Sequence, residues 1–402
     1  MKKNILAVTT FVCYFLFTTP CLVAQNSINP DSINDSFSNM NDSFTSFQNS
    51  ITTDFYNYKE NQQKQFNDFK KAIQEKWGQN NFSYSDSVNW VEYSYDINKR
   101  TIVNFKEGTA KVELLVDPAN ADNEQAIEED VINAIKNLSI TKGKKNDIDK
   151  SFEEENVLSE NPILENQLKT RQGAIVTKNN INAFAKEVIK NEKIKKEIIS
   201  GDDNESRVIV SISIPLAPDY LKVRAEKLLP IINKYSSKYN IEPELILSVI
   251  HIESYFNPKA ISHANAVGLM QLVPSSGGYD SYNYVFGKNT EPTKQFLYNP
   301  DNNINLGTAY LKILMTRYFN NINNNESKRY CVIGSYNTGV GNVCRTVSNN
   351  TIVRHTVNKI NTMTPAQTYK FLSQNLSYKE ARDYIVKVND KYLMYKKLLS
   401  HD

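Results

Sequence analysis

Hydrophobic residues recur every three to four positions in the middle of the chain, which predicts amphipathic helices. The clearest stretch begins at Ile241, and at about 100° per residue its apolar positions share one broad arc: Leu245, Ile246, Val249, Ile250, Ile252 and Phe256. Ser248, His251 and Tyr255 fall on the other side, which we expect to be the polar face. Glu253 lies inside the apolar arc, so we expect its carboxyl group to be buried.

A buried carboxyl group at Glu253 suits proton donation. An unpaired carboxylate removed from water is costly, so its pKa rises and it stays protonated. The Asn257-Pro258 pair should end the helix within a turn of Glu253, where the negative end of the helix dipole raises the pKa further. A structural carboxylate, satisfied by a buried arginine or by backbone donors, fits the spacing as well. Spacing alone leaves both interpretations open.

Shorter patterns predict an α+β region over residues 80–216. Turn residues separate three strand-like runs, which predict an antiparallel meander: Val88–Tyr95, Arg100–Phe105 and Ala110–Val116. Helices over Ile127–Leu138 and from Ile181 to about Ile199 should flank a charged loop, Thr141–Arg171. The run Arg207–Pro215 predicts a strand that returns to the same sheet. No catalytic pattern occurs in this region, so we expect an accessory or substrate-orienting domain.

An apolar, mostly aromatic stripe, called the aromatic stripe, precedes this region and recurs in steps of three and four from Phe37 to Trp77, broken only at Gln62. The period predicts a long amphipathic helical region within residues 25–79, as one helix or two, ended by Gly78. Its polar face carries Asn, Ser and Asp where anionic lipid would favour basic residues. Packing of the stripe on its own protein is therefore the preferred interpretation.

The first 24 residues are typical of a secretory signal peptide. Lys2 and Lys3 precede an apolar run that is too short for a membrane span, and cleavage is expected after Ala24. Soluble export to the periplasm follows from this pattern. The alternative is a lipid anchor at Cys21, which would attach the protein to the outer membrane.

Two cysteines lie beyond the signal region, Cys331 and Cys344. In an oxidising compartment they could form a disulfide that closes a short loop, worth roughly 3 kcal/mol in the chain-entropy model. Each also fits an apolar helical position, so two buried free thiols are the alternative.

Composition narrows the possible partners. Lys and Arg number 47 against 44 Asp and Glu, and no basic face stands out, so nucleic acid is not an expected partner. The chain of 402 residues is long enough for two or three domains. No metal-ligand spacing occurs, and no cofactor is expected. Residues 217–402 are predicted to be mainly helical, which makes the whole chain an α+β protein.

An ordered set of motifs accompanies Glu253. It comprises Ser262, Gly268-Leu269-Met270-Gln271, the Asn303–Leu311 pattern Asn-Ile-x-x-Gly-x-x-Tyr-Leu, Tyr336-Asn337-Thr338-Gly339 and Glu380-Ala381-Arg382-Asp383-Tyr384. Over about residues 219–395 these motifs resemble the lytic transglycosylases of the goose-type lysozyme superfamily. The resemblance implies a helical, lysozyme-like domain that cleaves peptidoglycan glycan strands between MurNAc and GlcNAc without hydrolysis. It extends more faintly through the α+β region.

The resemblance also implies a mechanism that needs one carboxyl group. Glu253 would protonate the leaving oxygen and then accept the proton of the MurNAc 6-hydroxyl, which closes on C1 to give a 1,6-anhydro end. Consistent with this, no Asp or Glu lies between Glu253 and Asp280. The rivals are a goose-type hydrolase, in which Glu380 is the best second acid, and an inactive peptidoglycan-binding module.

Three residues near Glu253 have roles implied by the resemblance. Ser262 would donate a hydrogen bond near the N-acetyl group, Gln271 would contact the sugar, and Met270 would form an apolar wall. The ordinary alternatives are a turn residue at Ser262, a solvated helix start at Gln271 and a core side chain at Met270.

The later motifs would complete the site. Tyr336 would place its hydroxyl near Glu253 and fix the carboxyl orientation, while Asn337 would line the groove or brace the turn. Glu380 and Tyr384 would line the far side of the cleft, with a surface ion pair to Arg382 as the alternative for Glu380. Both His251 and His263 are expected to be exposed and non-catalytic.

Overall fold

A computed structural model describes residues 60–61, 63–143 and 161–400. Asp68–Asp402 form one compact unit, and the few described residues before it belong to the unit Met1–Asn67. The predictions of a signal peptide, of an anchor at Cys21 and of the aromatic stripe before residue 60 lie outside the described residues.

A five-stranded antiparallel sheet, in the order β1-β2-β3-β5-β4, forms the first half of the larger unit. Its strands are β1 (Asn89–Tyr93), β2 (Lys99–Asn104), β3 (Thr109–Val116), β4 (Lys195–Ser200) and β5 (Ser206–Pro215). The predicted meander and the returning strand are confirmed, and Val112 of β3 lies opposite Ile212 of β5.

Helices cover both faces of this sheet. The helix α1, residues 63–77, ends at Trp77 as predicted and buries Ile73 and Trp77 against Val91. On the other face lie α2 (Glu124–Ile140) and α3 (Ile181–Asn191). The aromatic stripe therefore packs on its own protein in the described part of this helix.

The predicted extension of α3 to Ile199 is wrong. The helix ends at Asn191, and the residues that follow form the edge strand β4, in which Ile198 lies opposite Val208. Consecutive β-branched residues fit a strand beside β5 better than a helix, and this pairing is invisible to helical periodicity.

The second half of the unit is helical, as predicted. Its helices are α4 (Tyr220–Tyr239), α5 (Pro243–Ser254), α6 (Gly277–Phe286), α7 (Lys294–Tyr298), α8 (Pro300–Ile313), α9 (Asn325–Thr338), α10 (Val340–Ser348), α11 (Val353–Ile360), α12 (Pro365–Asn375) and α13 (Lys379–Leu399). Pro230 lies inside α4 without dividing it. Throughout the described ranges, every helix is too short or too polar to cross a membrane.

The helix α5 lies at the centre of this half and packs along α13. The expected polar face is wrong, because Ser248 and His251 are buried together with the apolar residues. The Nδ1 atom of His251 lies 2.8 Å from the hydroxyl of Tyr395, and burial lowers the pKa of His251 to about 4. His263 is exposed, as predicted.

Cys331 and Cys344 are free thiols, and both are fully buried. The structure therefore has the second of the two predicted alternatives, and no disulfide braces the segment between α9 and α10. Burial raises the pKa of the Cys331 thiol above its usual value, and the neighbouring Cys344 adds to this effect.

Part of the helical half packs into the core of the sheet. Leu272, Leu297 and Leu306 of the helical half join the cluster that contains Trp90 and Val112 of the sheet. Because burial of a common apolar surface joins the two halves, the segments around α5 are supported from the sheet side. The boundary near residue 217 remains a prediction.

Candidate active site

Glu253 lies in the last turn of α5, and its side chain is half-buried. The hydroxyl of Tyr384 on α13 donates a hydrogen bond to Oε1 of Glu253 at 2.6 Å. Burial raises the pKa of Glu253 to about 7; the Tyr384 hydrogen bond lowers it, and the charge of nearby Glu380 raises it. A carboxylic acid that titrates near neutral pH can both donate and accept a proton.

The Gly-Leu-Met-Gln motif forms the loop of a tight hairpin. Val267 and Leu272 pair through two backbone hydrogen bonds of 3.0 and 3.1 Å, and residues 268–271 connect them. Gly268 has φ 77°, and a Cβ atom there would lie 2.3 Å from Nδ2 of Asn303. Only glycine fits this position, so Gly268 permits the turn.

Two buried polar residues hold this hairpin in place. Asn303 of α8 accepts a hydrogen bond from the Met270 amide at 2.8 Å and donates to the Val267 carbonyl at 2.9 Å. Ser254, next to Glu253, donates to the Leu269 carbonyl at 2.8 Å. The sequence predicted a role for neither residue, although Asn303 begins one of the motifs that carry the resemblance.

Gly268→Ala is expected to lower the free energy of unfolding by about 2–4 kcal/mol, because the left-handed backbone and the contact with Asn303 both resist a Cβ atom. Gly287→Ala is the matched control, since Gly287 has φ 65° but no atom within 4 Å of the added Cβ. We expect about 1 kcal/mol for the control, from backbone strain alone. Urea unfolding of both variants measures the difference, and equal losses would contradict the close approach of Asn303.

Met270 is fully buried and does not form an exposed wall of the cleft. Its side chain packs on Gly307, where a Cβ atom would lie 2.3 Å from Sδ. The core alternative is therefore correct. The missing side chain at Gly307 therefore makes room for Met270.

Gln271 and Ser262 both face local backbone groups. Gln271 has φ 45° and donates from Nε2 to the Gly268 carbonyl at 2.9 Å, so it ends the hairpin loop and does not begin a helix. The hydroxyl oxygen of Ser262 accepts the Ala266 amide at 3.1 Å, as a turn residue does. Contacts of these side chains with a sugar remain predictions.

The structure corrects the role expected for Tyr336. Its hydroxyl donates to the Met270 carbonyl at 2.8 Å, and the hydroxyl that orients Glu253 belongs to Tyr384. Burial raises the pKa of Tyr336, and the charge of the Glu253 carboxyl group raises it further. Tyr336 is therefore still close to Glu253. The Tyr-Asn-Thr-Gly segment is the last turn of α9, ended by Gly339 at φ 83°.

Asn337 and Glu380 lie together on the exposed side of the site. Nδ2 of Asn337 is 3.5 Å from Oε1 of Glu380, which stands in the first turn of α13. Arg382 donates to the backbone carbonyl of Ser377 instead of forming the alternative ion pair with Glu380. Glu380 is exposed, and its charge is close enough to raise the pKa of Glu253. Its place in the substrate cleft remains a prediction.

The geometry supports acid–base chemistry by protein side chains. Burial raises the pKa of Glu253 to about 7, and Tyr384 fixes the orientation of its carboxyl group. Among the residues that the structure describes, no group of three His, Cys, Asp or Glu side chains could hold a metal ion.

Residues 230–358 match the Transglycosylase SLT domain, so this site belongs to an enzyme of the lytic transglycosylase class. Residues 53–227 match the N-terminal domain of membrane-bound lytic murein transglycosylase C. Proteins of that name from Haemophilus influenzae and Actinobacillus succinogenes are 33% and 32% identical to the chain, over 80% and 82% of its length and 85% and 87% of theirs. The chain belongs to the membrane-bound lytic murein transglycosylase C family.

A solved structure is also similar to part of the chain. The 70 kDa soluble lytic transglycosylase of Escherichia coli has a TM-score of 0.32 and 23% sequence identity, and the likeness covers 42% of this chain and 24% of that one. The resemblance predicted from the motifs is confirmed by the family matches, and its fainter part is confirmed by the match of the N-terminal domain.

Proposed function

We propose that the protein cleaves the β-1,4 bond between MurNAc and GlcNAc of peptidoglycan and leaves 1,6-anhydroMurNAc ends. The observation that carries the proposal is the Glu253 carboxyl group, whose pKa is raised to about 7 by burial while Tyr384 orients it. The relatives' names supply the substrate, since they describe murein transglycosylases.

One carboxyl group completes the proposed reaction. Protonated Glu253 donates to the glycosidic oxygen while the bond to C1 breaks and positive charge develops on the sugar ring. The resulting carboxylate accepts the proton of the C6 hydroxyl, whose oxygen bonds to C1. Glu253 regains its proton and no water is consumed, so each turnover leaves the enzyme in its starting state.

The surrounding groups support this cycle. Tyr384 holds one carboxylate oxygen, which leaves the other free to face the substrate. Ser262, Gln271 and Asn337 are our candidates for sugar contacts. Tyr336 acts indirectly, because its hydroxyl donates a hydrogen bond to the Met270 carbonyl and so holds the hairpin.

A goose-type hydrolase is the second candidate, and the position of Glu380 favours it. The charge of Glu380 lies close enough to raise the pKa of Glu253, so a water molecule between the two could be activated. Against this, the carboxylate of Glu380 is exposed and contacts Asn337 at 3.5 Å. Under our proposal Glu380 tunes the site and does not attack or activate water.

Glu380→Gln tests this distinction. We expect the variant to release the same anhydro-muropeptides as the wild type, at a rate within about threefold, because the removed charge acts only on the Glu253 pKa. Mass analysis of muropeptides released from purified sacculi measures both product and rate. A loss of about a hundredfold or more, with reducing ends in the wild-type digest, would establish the hydrolase.

The relatives' names describe membrane-bound enzymes, which supports a place at a membrane. We propose that the protein acts in the periplasm and is attached to the outer membrane through a lipid anchor at Cys21. Mass analysis of the mature N-terminus, with Cys21→Ala as the comparison, tests this point. If the mature wild-type N-terminus carries no lipid, the anchor is contradicted and the prediction of soluble export is correct.

A further inference from the structure

The chain leaves α5 through a strained turn directly after Glu253. Tyr255 has φ 48° and Phe256 has φ 62°, so two successive bulky residues adopt the left-handed conformation. Such residues are disfavoured in that region and persist only where the surroundings hold them. The last turn of α5, and with it the Glu253 carboxyl group, therefore depends on whatever holds this turn.

Arg224 of α4 holds the turn from one side. Its side chain is buried, and Nη2 donates to the Phe256 carbonyl at 2.5 Å. Nη1 donates to Oε1 of Gln167 at 3.0 Å, and the guanidinium lies 3.7 Å from the ring centroid of Phe105, the residue directly after β2. One side chain thus joins the sheet, the segment before α3 and the end of α5.

The partners of Arg224 named above are all neutral. Burial lowers the pKa of Arg224 to about 9, which still leaves it charged at neutral pH. A buried charge is expensive and is usually justified by the hydrogen bonds it makes. One of those bonds ends on the Phe256 carbonyl, within the strained turn that follows α5. An apolar residue could fill the space of the arginine but could not hold this turn.

The sheet side holds the turn from a second direction. Asn257 is fully buried and donates from Nδ2 to the carbonyls of Asp86 at 3.3 Å and Asn89 at 3.2 Å. Asn89 begins β1, so the sheet and the residue after the strained turn are directly bonded. Two independent side chains therefore tie the end of the catalytic helix to the α+β half.

We infer that Arg224 is a positioning residue of the catalytic site, through which the α+β half sets the place of Glu253 against Tyr384. The inference rests on the proposed function for its kinetic consequence and on the contacts above for its structural one. Without Arg224 the turn relaxes, the last turn of α5 loosens, and water reaches the Glu253 carboxyl group. The α+β half is then part of the catalytic apparatus and more than an accessory domain.

Arg224→Met tests the inference, because methionine keeps an unbranched apolar stem and removes the donors. We expect kcat to fall between about tenfold and a hundredfold, with KM within about twofold of wild type. Hydration of the carboxyl group should also lower the pKa of Glu253, so the alkaline limb of the pH profile should move to lower pH. Arg224→Lys retains one charged donor group, so its kcat and its alkaline limb should lie between those of the wild type and of Arg224→Met.

Lys227→Met is the matched control. Lys227 lies on the same helix and pairs with Glu165 at 3.1 Å on the exposed surface, but has no bond to the turn. We expect its kcat and pH profile to be unchanged. Thermal unfolding of all variants, followed by circular dichroism, shows that each is folded at the assay temperature.

The outcomes separate the inference from the proposed function. If Arg224→Met is folded and keeps the wild-type kcat and alkaline limb, Arg224 is only structural and the inference is overturned. If the wild type releases no muropeptides, the proposed function fails, and NMR titration of Glu253 in the wild type and in Arg224→Lys still decides the inference. A lower Glu253 pKa in the variant supports it, and an unchanged pKa overturns it, including when Arg224→Met does not fold.

Discussion

Glu253→Gln is expected to slow muropeptide release from purified sacculi by about a thousandfold, because the amide can neither donate nor take back the proton. Glutamine has the same shape, and its side-chain oxygen can still accept the Tyr384 hydroxyl. The rate of muropeptide release, measured by chromatography, gives the loss directly. Glu326→Gln is the matched control, since Glu326 accepts a 2.6 Å hydrogen bond from Tyr330 away from the site and should leave the rate unchanged.

The stability of Glu253→Gln has a predictable sign. Burial raises the folded-state pKa of Glu253 to about 7, so the folded state binds this proton more tightly than the unfolded state does. The stabilisation that comes from this tighter proton binding is fully present below the unfolded-state pKa of Glu253. It is lost as pH rises through the folded-state pKa of about 7. At pH values above that window the variant should be at least as stable as the wild type. A variant that unfolds there would contradict the assigned burial.

Tyr384→Phe is expected to lower kcat by about ten- to a hundredfold, which corresponds to loss of one hydrogen bond to a charged group. The lost bond, 2.6 Å long in the structure, favours the charged form of Glu253. Its removal should therefore raise the pKa of Glu253 and move the alkaline limb of the pH profile to higher pH. Initial rates across the neutral range measure both effects.

Tyr336→Phe is the control for this substitution. Its hydroxyl donates to the Met270 carbonyl, so removal should weaken the hairpin and lower stability with a smaller effect on the pH profile. If the alkaline limb shifts in Tyr336→Phe but not in Tyr384→Phe, then Tyr336 is the residue that orients Glu253. The direction expected for Tyr384→Phe is opposite to that expected for Arg224→Met, which makes the two roles separable.

The hydrophobic pattern was sufficient for much of the architecture. Alternation and turn residues predicted β1–β3 and β5, because the local sequence records which strand positions are buried. The placement of a carboxyl group within the apolar arc of α5 predicted the burial of Glu253 for the same reason. These features depend on whether each residue is buried or exposed. The local pattern of apolar and polar residues reflects that burial.

The errors concern features that only the tertiary structure decides. Helical period could not show that β4 pairs with β5, or that α13 covers the His251 face of α5. The choice between Tyr336 and Tyr384 as the partner of Glu253 depends on where two distant helices end. Both tyrosines occur in the sequence motifs, but the motifs do not show which hydroxyl reaches the carboxyl group of Glu253.

Buried polar residues were the hardest part of the site to predict. Arg224, Ser254 and Asn303 each bond to backbone carbonyl or amide groups far away in the chain. A polar residue within a helical pattern is normally taken as exposed, so these side chains gave no local signal. They nonetheless fix the strained turn and the hairpin on either side of Glu253.

The most direct test of the account is the chemistry of the glycan ends that the wild-type enzyme leaves. Muropeptides released from purified sacculi are analysed by mass before and after borohydride treatment, which reduces only free reducing ends. The account predicts products lighter by one water than hydrolysis products and unchanged by borohydride, as 1,6-anhydroMurNAc ends require. Heavier products that borohydride reduces would contradict it and would assign the protein to the hydrolases.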